Sequence, residues 1–203
     1  MVECKFSSQD RKRIAEGIRG KYTKAAISPE GLFKYPTGCA GLEGLKYDAE
    51  IIQNLPEAVA ASYCGVGNPF SLGPIHEGEE VLDVGCGAGV DTIIAAMLVG
   101  PSGTATGTDI VPEMLTRAKD NLQITGLKNV SFLEASAERL PFPDGSFDAV
   151  ISNGVLNLVV DKAKALKEIF RVLKSSGRLM VADQILIGKL PNETEARVKS
   201  WAK

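Results

Sequence analysis

The sequence is poor in the side chains that most often do chemistry near neutral pH. Its 203 residues include one histidine, His76, and one tryptophan, Trp201, and aromatic residues make up only 6%. His76, lying just before the first strand, is the single candidate imidazole base, and a surface role is the expected one. Four cysteines (Cys4, Cys39, Cys64, Cys86) form neither a CxxC pair nor a dense framework, which excludes a disulfide scaffold and reads as free thiols in a reducing compartment. No long apolar run is present. The longest stretches, such as residues 92–99, are too short to cross a bilayer. The N-terminus lacks the apolar core of a signal peptide, so a cytoplasmic chain without a membrane role is expected. An excess of one charge is also missing, since the formal net charge is −2. Nine Lys/Arg against five Asp/Glu fall in residues 1–46, with Arg11-Lys12-Arg13 the densest run. No aromatic residues interleave with these cations for base stacking, so a solvated helix face is expected rather than a nucleic-acid site.

What is present is an ordinary globular composition, 44% hydrophobic and 24% charged, in two dissimilar stretches. Residues 1–78 predict an N-terminal helical cap. Ser7 or Ser8 can cap a helix with Ile14, Ile18 and Tyr22 on one side, and Asp48 and Pro56 suit the starts of two shorter helices. Residues 29–45, rich in Gly and Pro, read as irregular, and Gly65-Val66-Gly67-Asn68-Pro69 as a loop of high backbone freedom. From Glu79 onward, strands at 81–84, 104–108, 130–133, 147–152 and 178–186 alternate with helices at 89–99, from Pro112 to a close at Gly126, and at 163–173. That alternation predicts an α/β fold with a mostly parallel sheet and helices on both faces.

Gly85-Cys86-Gly87-Ala88-Gly89 joins the first strand to its helix, where glycines let backbone amides approach a ligand. The spacing is GxGxG rather than the GxGxxG of dinucleotide binders, which disfavours a pyrophosphate and a nicotinamide oxidoreductase. Asp109 ends the second strand 24 positions after Gly85, where a carboxylate can accept hydrogen bonds from both hydroxyls of a ribose.

Four ordered segments carry a resemblance: residues 79–89, 107–115, 140–148 and 170–178. Together they are similar to the motifs of class I S-adenosylmethionine-dependent methyltransferases, which implies a Rossmann-like core over 79–203 and S-adenosylmethionine as cofactor. Carried over by position, the resemblance implies that Gly85, Cys86, Gly87 and Gly89 surround the methionine part and that Asp83 holds the loop and the amino-acid end. It places Asp109 on the ribose, Ile110 against the adenine, Ala137 and Glu138 at the adenine edge, and Asn153 beside the cofactor's ammonium group. Ser136 stands where the wider family often has Asp. The family sheet also has two strands after the fifth, for which no residues remain here, so a core without its C-terminal strands is expected. The open edge of such a sheet leaves a homo-oligomer among the expected partners.

Residues 151–158 with Asp161-Lys162, and Tyr63-Cys64-Gly65-Val66-Gly67 upstream, most resemble arsenite methyltransferases. Those enzymes hold trivalent arsenic on thiolates, which suits a thiophilic centre. The resemblance implies cysteines where this chain has Val66 and Gly154, and a further one that follows a Trp in the helix after strand five, just past Trp201-Ala202-Lys203. The expectation is therefore a methyltransferase acting on a different small-molecule acceptor, with no metal site. Two alternatives stay open: arsenite methylation on a substitute Cys39/Cys64 pair, and a cofactor-binding module without catalysis. Tyr63 either closes over the cofactor or packs, and Asn157 and Asp183 are further candidate acceptor contacts.

Overall fold

The computed structural model describes residues 6–185, 187–188 and 193–201. Four helices precede the sheet: α1 (Ser8–Ile27), α2 (Gly38–Gly44), α3 (Ala49–Asn54) and α4 (Glu57–Ala60). Ser7 caps α1 through a reciprocal pair with Asp10, the Ser7 hydroxyl accepting from the Asp10 amide while the Asp10 carboxylate accepts from the Ser7 amide. Asp48 caps α3 by accepting from the amides of Glu50 and Ile51. The irregular segment expected at 29–45 holds a helix, α2. It forms because the Gly38 amide is anchored on the Tyr63 carbonyl at 2.8 Å and Gly41 lies against the Pro36 carbonyl, where a Cβ would come within 2.7 Å.

Five strands follow, β1 (Glu80–Val84), β2 (Thr104–Asp109), β3 (Val130–Glu134), β4 (Phe147–Asn153) and β5 (Leu173–Ala182), with α5 (Val90–Val99), α6 (Pro112–Thr125) and α7 (Lys162–Val172) between them and α8 (Thr194–Ser200) after them. Among the described residues the sheet is all parallel, in the order β3-β2-β1-β4-β5. β5 begins and ends earlier than the sequence pattern suggested. Leu173 already pairs with Phe147, and a register shift brings Arg178 opposite Ala149. Leu186, the expected end of that strand, lies outside the described residues.

Alternation along β1 explains why both faces are buried. Leu82 and Val84 pack into a cluster with Ala165, Ile169 and Val172 of α7, whereas Val81 packs with Ala95, Ala96 and Val99 of α5. Each fully buried Val, Leu or Ile side chain among these contributes roughly 1.5–3 kcal/mol. α5 is buried almost all round because Leu42, Tyr47, Val59 and Tyr63 of the N-terminal segment cover its outer side. At one end of the cap, Ile14 and Ile18 of α1 meet Val198 of α8, with Phe6, Leu158 and Trp201 beside them. The strand order reverses direction between β1 and β4, so a crevice opens at the carboxyl ends of β1, β2 and β4.

Candidate functional site

That crevice is a cavity of about 320 Å³ roofed by the N-terminal segment. Nine of the ten residues expected to bind a cofactor line it: Asp83, Gly85, Cys86, Gly87, Asp109, Ile110, Ala137, Glu138 and Asn153. Gly89 does not. It stands behind the wall as the N-cap of α5, where a Cβ would come within 2.6 Å of the Phe132 ring and 3.0 Å of Ala118.

The glycine loop is built by the end of β2. The amides of Gly85 and Cys86 both donate to the Thr108 carbonyl, at 2.7 and 2.9 Å. The Gly87 amide donates to Oδ2 of Asp109 at 2.9 Å, and Oδ1 of Asp109 accepts from the Val111 amide at 2.9 Å. Gly85 and Gly87 have φ of 77° and 52°, a left-handed conformation that side chains rarely tolerate, and a Cβ on Gly85 would collide with the Val155 methyls. The loop is thus a backbone cradle that any side chain would fill, which is the shape a closely held ligand requires. At the far end, Glu138 accepts from the Asp161 amide at 3.0 Å and lies 4.0 Å from the guanidinium of Arg11. The other two cations of the basic run are also paired within the chain, Arg13 with Glu195 and Lys12 with Glu16.

At the β4 end, the Asn153 side chain is a hub. Its Oδ1 accepts from the amides of Val66 and Gly67, at 2.9 and 3.1 Å, and its Nδ2 donates to the Gly67 carbonyl at 2.8 Å and to Oδ2 of Asp91 at 2.9 Å. The Tyr47 hydroxyl donates to Oδ1 of Asp91 at 2.8 Å, and that of Tyr63 donates to the Gly67 carbonyl at 2.8 Å. Tyr63 is thereby buried and packed, tying the 65–67 loop to β4. A Cβ on Gly65 would collide with the Asn153 amide nitrogen and the Tyr63 hydroxyl.

Burial governs the electrostatics. It holds the carboxyl of Asp109 above its ordinary range, only partly offset by backbone amides. Asp83 is raised well above that range by burial and by the neighbouring Asp91, against the hydrogen bond it accepts from the Thr92 hydroxyl at 2.7 Å. Asp91 is pushed up to about 6 by burial, opposed by the hydrogen bonds from Asn153 and Tyr47. Buried Asp83 and Asp91 and half-buried Asp109 therefore line one cavity, and Arg11 is the one Lys or Arg in its wall among the described residues. Such a cavity favours a cationic ligand.

The thiols are placed differently from a chelating set. Cys64 and Cys86 line the cavity, but burial pushes Cys64 up to about 12 and Cys86 well above its ordinary value, which disfavours both thiolates. Cys39 is exposed on α2 and absent from the cavity wall. Cys4 lies outside the described residues. Val66 and Gly154 face each other, a Cβ on Gly154 lying 3.2 Å from the Val66 methyls and 3.8 Å from its Cβ. Among the described residues no group of three His, Cys, Asp or Glu could hold a metal ion. His76 is exposed at the amino end of β1, and Asp183, which accepts from the Asn157 amide at 2.9 Å, lies outside the cavity wall, as does Asn157.

Asp91 and Tyr47 were not singled out from the sequence. The available signal was an acidic residue inside a helix whose other positions, from Val90 to Ala96, are all apolar or small.

Similarity to known proteins identifies the family. A family model described as a methyltransferase domain matches residues 75–203. The chain belongs to the class I S-adenosylmethionine-dependent methyltransferases. Within that class it stands near the arsenite methyltransferases. It is 31% identical over 207 residues to one from Halobacterium salinarum, covering 95% of this chain and 53% of that protein. The structure of an arsenic(III) S-adenosylmethionine methyltransferase from Chlamydomonas reinhardtii superposes with a TM-score of 0.55 at 33% identity, covering 73% of this chain and 50% of that one. A ubiquinone/menaquinone biosynthesis C-methyltransferase, UbiE, of Pasteurella multocida is 44% identical over 110 residues, 54% of this chain and 41% of that protein. The chain thus spans about half the length of the curated relatives it matches. The cofactor of the family is S-adenosylmethionine, and the glycine cradle, the Asp109 carboxylate and the acidic cavity fit it. No described helix is long and apolar enough to cross a membrane.

Proposed function

We propose that this chain transfers the methyl group of S-adenosylmethionine to a small organic acceptor other than arsenite, in the cytosol. The observation that carries the acceptor reading is the pairing of Val66 with Gly154. They face each other across the gap where the resemblance implies two thiols, and neither a valine nor a glycine side chain can ligate a thiophilic centre. Burial of the two thiols that do line the cavity disfavours their thiolate forms, the forms that ligate a thiophilic centre.

When bound, the cofactor supplies an electrophilic methyl carbon on a sulfonium. The chain's residues position and enclose. Asp109 holds the ribose, the 85–87 backbone holds the methionine part, and Asn153 clamps the 65–67 loop above them. Much of the acceleration then comes from fixing an in-line approach and excluding water, which needs no dedicated base. In this reading residues 1–78 form the acceptor lid over the 79–203 core.

The test incubates the chain with methyl-labelled S-adenosylmethionine and, separately, arsenite with a thiol reductant or a panel of phenols, hydroquinones, amines and thiols. Label is expected in an organic product and not in arsenic. Robust arsenite methylation, lost on Cys64→Ser or Cys39→Ser, would install the substitute cysteine pair instead. Cofactor binding without label transfer to any acceptor would leave a binding module.

A further inference from the structure

Asp91 is a buried carboxylate in the cavity wall that no step above uses. Its oxygens accept from Tyr47 and from Asn153, two neutral donors, and among the described residues no cation pairs with it. Leaving a carboxylate in that position is costly unless a cation arrives with the ligand. Its position says which cation. The ribose carboxylate, Asp109, stands at the end of β2, on one side of β1. Asp91 is joined through Asn153 to the end of β4, on the other side of β1. A cofactor with its ribose at β2 and its glycine cradle at β1 carries its amino-acid tail toward β4.

From this placement we infer that Asp91 binds the α-ammonium of the cofactor's amino-acid tail, with Tyr47 and Asn153 aiming its carboxylate. The inference rests on the cofactor reading and adds one residue to it. Because Asn153 also clamps the 65–67 loop, one side chain links the ammonium site to the segment that covers the methyl group. Occupancy of the first and order of the second are then coupled.

The experiment compares two probes by titration calorimetry at pH 8, S-adenosylhomocysteine and 5′-methylthioadenosine, which lacks the amino-acid tail. Asp91→Asn is expected to weaken S-adenosylhomocysteine about tenfold or more, the scale of one charge-assisted hydrogen bond, and to leave methylthioadenosine unchanged. The unchanged probe also shows that the variant is folded. Unaltered or tighter S-adenosylhomocysteine binding would overturn the inference, the latter because it would put the tail's carboxylate there. Equal weakening of both probes would overturn it too, as Asp91 would then act through the shape of the pocket. If the unsubstituted chain binds neither probe, the cofactor reading itself falls, and the inference with it.

Discussion

Removing the Asp109 carboxylate separates its two roles, because it serves the fold and the ligand with different lone pairs. In the free chain it accepts from the amides of Gly87 and Val111, both at 2.9 Å. In the proposed binding mode it would also accept from two ribose hydroxyls. Asp109→Ala therefore deletes two charge-assisted hydrogen bonds to the ligand, about 1.5–3 kcal/mol each and so about 3–6 kcal/mol together. That sum corresponds to a loss of roughly 10²–10⁴ in affinity for S-adenosylhomocysteine. The cost to folding is smaller than the two lost intrachain bonds suggest, since burial already penalises the charged form. Asp109→Asn keeps the shape and one acceptor but turns an amide nitrogen toward one of the two backbone donors. Its affinity should fall between that of the unsubstituted chain and Asp109→Ala, and its melting temperature should fall at least as far. Calorimetry and thermal unfolding on all three proteins give both quantities. An affinity for Asp109→Ala within a few-fold of the unsubstituted chain, in a folded protein, would remove Asp109 from the ribose site.

Other outcomes follow from the same geometry. Gly87→Val forces a β-branched residue to φ near 52° with its Cβ 3.0 Å from the Met114 methyl, so cofactor binding should vanish while the core still melts cooperatively; normal affinity would make the loop purely structural. Val66→Cys with Gly154→Cys puts two cysteine Cβ atoms about 3.8 Å apart and, kept reduced, should raise affinity for trivalent arsenic, measured by competition with a dithiol dye, despite the strain of Cys at φ 73°. Asp91 gives a pH signature in the free chain. Its carboxyl is raised from 3.8 to about 6, so the folded state binds the extra proton and loses stability as pH rises from about 4 to about 6. Relative to Asp91→Asn, the unsubstituted chain should lose up to about 3 kcal/mol across that window, about 1.4 kcal/mol per unit, read from denaturant titrations at pH 4 and 8. Asp83 from β1, Asp109 from β2, and Tyr47, Tyr63 and Cys64 from the cap face the same region and are common to both proteins. A gap that does not change with pH would refute the shift.

The parallel sheet was legible because its strands are short apolar runs, each followed at regular spacing by a helix with one apolar side. So was the ligand edge, since the glycine loop and Asp109 mark the ends of β1 and β2. α2 was not, because Gly38, Gly41 and Gly44 are poor helix formers and the helix is held by contacts to Pro36 and Tyr63. β5 was misplaced because its first pairing, Leu173 with Phe147, precedes the polar Lys174–Gly177 stretch that hides the strand pattern. The hub around Asn153 joins residues from 47 to 153, and spacing carries no information about which hydroxyl reaches which carboxylate across that distance. The meaning of Asp91 depends on the cap burying α5 on its outer face, a tertiary fact.

A crystal structure of the chain with S-adenosylhomocysteine tests the whole arrangement at once. The account predicts the ribose hydroxyls on the Asp109 carboxylate, the α-ammonium at Asp91, and the sulfur beneath the Gly65–Gly67 loop. A ligand lying outside this cavity, or reversed so that its amino-acid tail points toward Ile110 and Glu138, would contradict it.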